Sequence, residues 1–414
     1  MTTMDFDDKP AEALFRAEVR AFLEQHAVRK SDTHARLSQG APDAEMVRRA
    51  REWQAVKAEH GFASIQLPKK WGGREGKPIE QVIYNQEESH FDVPRGVFEV
   101  TLGMCIPTLL RYAAQPALER HVKPALKGEE IWCQLFSEPS AGSDLAALRT
   151  RATRDGEEWT VSGQKIWTSH ANIADFGLLL ARTDPKIPKH AGLTAFYIDM
   201  RSPGIEVRPI KRISGDHSFN EVFFDDVRIP DTQRLGAVGE GWSVALTTLS
   251  HERLAIAETG GPTFADIFRL CSQATIGANL PIDNQAVRER LAEWYVQTEG
   301  VKYTRYRVMT ALSRGQKPGP EASIAKAVNA RKLQEIVAFA LEVMGPAAIV
   351  SDPTLALHGG LFQEACLYAP GKRIAGGTDE ILRNIIAERV LGLPGDLRVD
   401  RNVPFDEIPT SASR

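Results

Sequence analysis

Cysteine is scarce. Cys105, Cys133, Cys271 and Cys366 are the four in 414 residues, far apart and with no metal-type pairing. That excludes a disulfide framework and fits a reducing compartment. Long hydrophobic runs are missing as well: the longest, FGLLLA from Phe176, falls far short of the roughly 20 apolar residues that span a bilayer. Charge of one sign is not in excess, the net value being −3, so no bulk attraction to nucleic acid or to an acidic membrane is expected. The first ten residues, MTTMDFDDKP, are acidic, which argues against a signal or transit peptide and for a cytoplasmic protein. Internal repeats and low-complexity segments are absent. Common fingerprints fail too. There is no GxxxxGKS/T and no GxSxG, GAVGEG from Gly236 does not follow a strand of a βαβ unit, and His251-Glu252 lacks the second histidine of a zinc site, so no metal is expected.

What is present is a soluble-type composition, 43% hydrophobic and 25% charged, on a chain long enough for two or three domains. Residues 1–128 read as helical. Phe15, Val19, Phe22 and Leu23 recur at helical spacing, AEMVRRAREWQAVKAEHG repeats the pattern and stops at Gly61, and QPALERHVKPALKGEE reads as a short helix pair. From 129 to 236 the texture is that of a β domain. RTRATRDGEEWTVSG is strand, Asp-Gly turn, strand, and GLLLART, LTAFYIDM, IEVRPIKRI and NEVFFDDVRIP follow at short intervals. Residues 237–396 read as a helical bundle of four long helices, and 397–414 as a loose polar tail. The expected class is therefore α+β multidomain: an N-terminal helical domain, a middle β-barrel-like domain and a C-terminal four-helix bundle.

Two stretches of the β domain carry chemistry. WCQLFSEPSAGSDL, Trp132 to Leu145, crowds hydroxyls, Gly142 and two acids after a strand, a composition that offers backbone donors to an anion or a polar ring; the plainer reading is a surface loop. In GQKIWTSH, Trp167 offers a flat apolar face and Ser169 a short donor, although a tryptophan in a β domain is more often core. In the bundle, RIAGGTDEILRN pairs two glycines with Thr378 as an N-cap and Asp379 and Glu380 at the positive end of a helix, a backbone that a ligand can approach closely.

LFSEPSAGSD, GQKIWTS, FNEVFFDDVRIP and GGTDEILRNIIAERVLG, in this order and spacing, resemble the acyl-CoA dehydrogenase family over nearly the whole chain. The resemblance implies FAD, an acyl-CoA substrate of lipid β-oxidation and an electron-transfer flavoprotein as acceptor. Carried over by position, Gln134, Phe136 and Ser137 line the flavin ring, and Gly142 and Ser143 belong to the loop that meets acyl-CoA and cofactor. Trp167 and Ser169 flank the flavin, and Thr378 and Glu380 approach its adenine dinucleotide portion. The implied reaction forms a 2,3-enoyl-CoA: a carboxylate takes the α-proton and flavin N5 receives the β-hydrogen as hydride.

Most of the family places the glutamate base where this chain has Gly376, and glycine cannot accept a proton. A minority carries it on the first bundle helix, just before an arginine; LSHERLAI puts Glu252 before Arg253 there. Ala245, Leu249, Glu252 and Ile256 share one helical stripe, so Glu252 stands in an apolar line where desolvation would raise its pKa. The plainer reading is a surface Glu252 paired with Arg253 or Arg290. Arg253 reads as structural or as lying near CoA or flavin, where it would meet the substrate, rather than as catalytic, and His251 is a bystander.

Two positions depart from the family. Gln273 replaces an arginine that reaches a neighbour's FAD diphosphate, and EVMGP, with Glu342 and Pro346, replaces a Gln-x-x-Gly-Gly segment. Loss of that cation weakens charge-assisted binding. A mixed α2β2 tetramer therefore stands beside the homotetramer usual in the family. The competing functional readings are an oxygen-using oxidase or monooxygenase on the same fold, and a non-catalytic partner subunit.

Overall fold

The computed structural model describes residues 8–30, 42–255, 261–274, 279–314, 319–320, 322–395 and 400–409. Helices α1 (Pro10–His26), α2 (Ala44–Glu59), α3 (Pro78–Glu88), α4 (Ile106–Tyr112) and α5 (Gln115–Leu126) come first. Strands β1 (Trp132–Leu135), β2 (Arg151–Asp155), β3 (Glu158–Ser169), β4 (Phe176–Arg182), β5 (Leu193–Asp199), β6 (Ile205–Ile210), β7 (Phe219–Pro230) and β8 (Arg234–Leu235) form one sheet. Helices α6 (Gly241–Ala255), α7 (Phe264–Gln273), α8 (Gln285–Ser313), α9 (Ala322–Met344), α10 (Leu361–Lys372) and α11 (Asp379–Ile385) follow. The chain folds into two compact units, one holding α1, α3 and α7–α11, the other α2, α4–α6, the sheet and residues 400–409.

The sheet runs β6-β7-β3-β2-β4-β5-β8, with β1 parallel to β4. Gly156 at φ +60° closes the β2–β3 hairpin, the left-handed position that a tight Asp-Gly turn requires. FGLLLAR and LTAFYID are buried along almost their whole length, so β4 and β5 sit between packed layers and alternate less than an edge strand does. Trp132 on β1 is fully buried, stacks on Phe176 at 5.0 Å and donates Nε1–H to Glu130. The turn of π-helix Thr101–Cys105 leads into α4, and its Thr101 Oγ1 accepts the Trp132 N–H at 2.9 Å, so helical layer and sheet meet at the start of β1.

Helix α6 packs on β5, β4 and α4. Val244, Ala245 and Thr248 are fully buried, and Leu249 packs on the same core. Thr248 and Thr108 share a hydrogen bond at 3.0 Å, and the Tyr112 hydroxyl meets Thr247 at the same distance. Ala245 and Leu249 thus lie on the inward stripe that the sequence indicates. Ile256 and the side chains of Glu252 and Arg253 lie outside what the structure describes, although the backbone of Glu252 and Arg253 is helical.

In the other unit, Ile267, Leu270, Trp294, Ile336, Ala340 and Phe362 form the core. Arg16 and Arg20 of α1 hold the carboxylate of Glu87 on α3 at 2.8 and 2.7 Å. α7 starts on a capping box between Thr263 and Asp266, and α11 on Thr378, whose Oγ1 accepts the Ile381 N–H as the sequence indicates.

Three expectations are corrected. QPALERHVKPALKGEE gives one helix, α5, because Pro124 falls in its last turn, where the ring is accommodated. The helical region after residue 237 holds more than four helices: α7 and α10 were not expected, and α10 carries Pro370 near its end. The tail is not loose over residues 400–409. Phe405 is buried, and the segment hydrogen-bonds to Pro185 and Ile187.

Between β6 and β7, Asp216 accepts from Arg212 at 2.9 and 2.5 Å, from the Ser214 hydroxyl at 2.5 Å and from the Ser218 N–H at 3.0 Å. Burial alone would raise its pKa, but Arg212, Ser214 and Ser218 outweigh that and hold the carboxyl well below the usual range.

Two measurements check this packing. A Cβ at Gly241 would lie 2.7 Å from the Leu193 carbonyl carbon and the Thr194 nitrogen, both backbone. Gly241→Ala should therefore destabilise the fold by about 1–3 kcal/mol through forced displacement of α6; an unchanged melting temperature would mean that the helix start is free to shift. Asp216→Asn should cost about 1–3 kcal/mol at neutral pH. Because the folded pKa is depressed, the wild-type advantage is complete above the unfolded value of about 3.9 and disappears as pH falls toward the folded one. The gap between the melting temperatures of the two proteins should be constant from pH 7 to about pH 5 and narrow as pH falls toward 2.

Candidate functional site

The end of β1 and the loop after it are pinned from below. Glu138 and Ala141 exchange backbone hydrogen bonds at 3.0 Å in each direction, closing a tight turn over Pro139 and Ser140. The Glu138 carboxylate is buried and accepts from the Arg149 N–H at 2.6 Å, the Thr150 N–H at 2.9 Å and the Lys165 ammonium at 2.8 Å. Lys165, on β3, is fully buried and donates a further bond to the Phe136 carbonyl at 3.0 Å. The Ile166 N–H holds the Ser137 carbonyl at 2.9 Å. Burial pushes the Lys165 ammonium down to about 8, against the pull of Glu138, whose own carboxyl stays low despite desolvation because Lys165 and the loop donors face it.

This joins β1 and β3 where the sequence places its candidate residues. Between Lys165 and Thr168 the register with β7 shifts, and within that irregularity Trp167 takes φ +61°. A bulky residue in the left-handed region is strained, and such strain concentrates at functional positions. The effect is to expose the Trp167 ring to 55%, so it is not a core tryptophan. Phe219 touches it edge-on at 6.0 Å. His170 is also left-handed at φ +61°. Its imidazole pKa is lowered by burial. Three buried polar atoms at this end of the strand, Thr168 Oγ1, His170 Nδ1 and Asn220 Oδ1, have no partner among the described residues.

Around the same edge, Gln134 and Ser137 are half-buried, Phe136 is buried, Gly142 and Ser143 are exposed, and Ser169 is half-buried. The structure thus brings Phe136 and Ser137 against the strand that bears Trp167 and Ser169, and sets Gly142 and Ser143 on the loop that Glu138 anchors. The anchoring pair Glu138–Lys165 escaped sequence reasoning. The available signal was a lysine at an inward position of an otherwise apolar strand stretch.

Thr378 and Glu380 belong to the other compact unit. Glu380 is exposed in the first turn of α11, and the glycines before it, at φ +67° for Gly376 and +97° for Gly377, are left-handed. Lys326 donates to the Gly377 carbonyl at 2.6 Å, and Arg373 clamps the buried Asp379 at 2.7 Å. A glutamate at position 376 would have to adopt a backbone that suits glycine. Gln273 at the end of α7 and Glu342 on α9 are both exposed. Among the described residues no group of three or more His, Cys, Asp or Glu is arranged to hold a metal, and no helix is long and apolar enough to cross a membrane.

Comparison with known proteins matches residues 9–129 to the acyl-CoA dehydrogenase N-terminal domain, 133–227 to its middle domain and 239–391 to its C-terminal domain. The chain is 38% identical over 345 residues to acyl-CoA dehydrogenase FadE34 of Mycobacterium tuberculosis, 82% of this chain but 46% of that protein, so it spans about half the length of that relative. It is 32% identical to acyl-CoA dehydrogenase IpdE1 of the same organism, over 93% of this chain and 98% of IpdE1. Among solved structures, the Tcur3481-Tcur3483 steroid ACAD has a TM-score of 0.78 at 27% identity, covering 95% of this chain and 100% of that one. The ChsE4-ChsE5 complex from Mycobacterium tuberculosis has a TM-score of 0.77 at 27% identity with the same coverage. The helical, β-sheet and helical domains, the ordered motifs and these matches agree: the chain belongs to the acyl-CoA dehydrogenase family, whose members are FAD-dependent oxidoreductases.

Proposed function

We propose that this chain dehydrogenates an acyl-CoA thioester between its α and β carbons, with Glu252 as the base that takes the α-proton. The observation that carries the reading is Trp167, whose ring is exposed on a strained left-handed backbone beside the Ser137 end of β1. A flat aromatic face at that edge, with Gln134, Ser137 and Ser169 side chains free of protein partners among the described residues, fits the isoalloxazine ring of FAD. FAD, when bound, supplies the two-electron redox chemistry. Gln134, Phe136 and Ser137 would line its ring, Trp167 and Ser169 would flank it, and Gly142 and Ser143 would belong to the loop that meets acyl-CoA and cofactor. Thr378 and Glu380 are assigned to the adenine dinucleotide end, and Arg253 to the substrate.

The protein's part is to aim the thioester and remove a proton. Gly376 offers no base, and its left-handed backbone is unsuited to a glutamate, which supports the alternative on α6. That helix is seated on β5 through Gly241 and on α4 through Thr248, and position 252 continues the helical stripe of Ala245 and Leu249. An uncharged amide there would leave the α-proton in place. Electrons are assigned to an electron-transfer flavoprotein.

A mixed α2β2 assembly is favoured by a specific observation. Gln273 and Glu342 are exposed where the family resemblance calls for an arginine and a neutral glutamine, so this chain brings no cation to a neighbour's diphosphate from those positions. One structural neighbour is a ChsE4-ChsE5 complex and another a steroid ACAD. We therefore include ring-bearing acyl-CoAs among the candidate substrates.

Glu252→Gln should match the wild type in FAD content while losing flavin reduction by at least roughly a hundredfold, the low end of what a positioned base contributes. Anaerobic bleaching with straight, branched and steroid-like acyl-CoAs measures it, and normal bleaching of the variant would refute the assignment. Purified alone, the chain should hold substoichiometric FAD; full and stable occupancy would favour the homotetramer instead.

A further inference from the structure

The docked tail, residues 400–409, meets the acyl-CoA loop through two cations. Phe405 inserts under a guanidinium: Arg182 Cζ lies 3.6 Å from its ring centroid, and Arg149 Cζ approaches at 5.3 Å. That Arg182 is buried and donates outward in three directions, to the Ala146 carbonyl at 2.5 Å, the Leu148 carbonyl at 3.1 Å and the Lys189 carbonyl at 3.0 Å. The second cation is Lys189, itself buried. Its ammonium holds Asp144 at 2.8 Å and Asp400 at 2.6 Å. The tail is fastened to the segment after β4 by backbone pairing, Phe405 N–H to Ile187 at 3.0 Å and Asp406 N–H to Pro185 at 3.1 Å, and by Lys186 to Asp406 at 2.5 Å.

Asp144 directly follows Gly142 and Ser143, and Ala146 and Leu148 lie in the same loop. Among the described residues Arg182 has no carboxylate at hydrogen-bond distance: its hydrogen bonds go to carbonyls, and an aromatic face covers it. Removing that face would admit water to the guanidinium and weaken its hold on the loop. Removing the Asp400 carboxylate would take away one of the two anions that hold Lys189, and with it the tail's link to Asp144.

We propose that residues 400–409 act as an intramolecular strap whose Phe405 and Asp400 position the Gly142–Leu148 loop through Arg182 and Lys189, and so set the affinity for the acyl-CoA. These are positioning residues: neither touches the reacting atoms. The statement about acyl-CoA rests on the activity proposed above, whereas the statement about the loop does not.

The test uses the full chain carrying Phe405→Ala, Phe405→Trp or Asp400→Asn, together with the partner subunit if one is required. Hydrogen exchange should quicken by roughly fivefold or more at the Ala147–Thr150 amides in Phe405→Ala, with Phe405→Trp restoring protection because the guanidinium keeps an aromatic face. With an active acyl-CoA, KM should rise by roughly fivefold or more in Phe405→Ala and Asp400→Asn while kcat stays within about twofold, the pattern of lost ground-state binding. Unchanged exchange overturns the strap. Faster exchange with unchanged KM overturns its role in substrate affinity, as does a fall in kcat alone. A wild-type protein that no acyl-CoA reduces would refute the proposed function, and hydrogen exchange would still decide the strap.

Discussion

A buried ammonium is the constraint on which the candidate site depends. Lys165 has no exposed surface, and an isolated charge in that position would be costly enough to neutralise or to unfold its surroundings. It is tolerated because Glu138 faces it and the Phe136 carbonyl takes another of its protons. Glu138 in turn needs its partners, and finds Lys165 and the amides of Arg149 and Thr150. Together these bonds tie the end of β1, the turn after it, the two residues before β2 and the middle of β3 to one another. The pair therefore fixes the relative positions of Ser137 and Trp167 more tightly than apolar packing would, since oily contacts lack direction and charged hydrogen bonds do not.

The strain at Trp167 follows from the same arrangement. With Lys165 drawn inward and Thr168 buried two places before His170, the strand cannot keep strict alternation between them. A bulge absorbs the mismatch and turns the indole outward. Buried Thr168 Oγ1, His170 Nδ1 and Asn220 Oδ1, which have no partner among the described residues, lie at the same place.

Much of the β domain was legible in the sequence because short strands with turn residues between them leave few alternatives. The Asp-Gly hairpin formed at Asp155–Gly156, and Thr378 capped α11 as its side chain dictates. The helical regions were less legible. α10 was hidden by Pro370 and Gly371, which are tolerated in a last turn, and α5 looked like two helices because Pro124 reads as a break. The tail misled most. Its polar composition suggests solvation, yet one aromatic, Phe405, finds a cation face on Arg182 that no periodicity could announce. The Glu138–Lys165 pair is of the same kind: each residue alone looks like surface, and only the strand register brings them together. At Trp167 the sequence left core and cofactor wall open, and backbone geometry decided for exposure.

The proposed base gains from where its helix belongs. Position 376 lies in the compact unit made of α1, α3 and α7–α11, whereas α6 belongs to the unit that also holds β1, β3 and the loop at Gly142. A base on α6 shares one packed core with Phe136 and Leu145, the core that also buries Val244 and Ala245. Proton abstraction is sensitive to displacements of an ångström, and a base on a helix that shares its core with the loop at Gly142 would be held in a fixed relation to that loop. Gly376 is then free to be a glycine, and its left-handed backbone lets the chain turn tightly into α11 at Thr378.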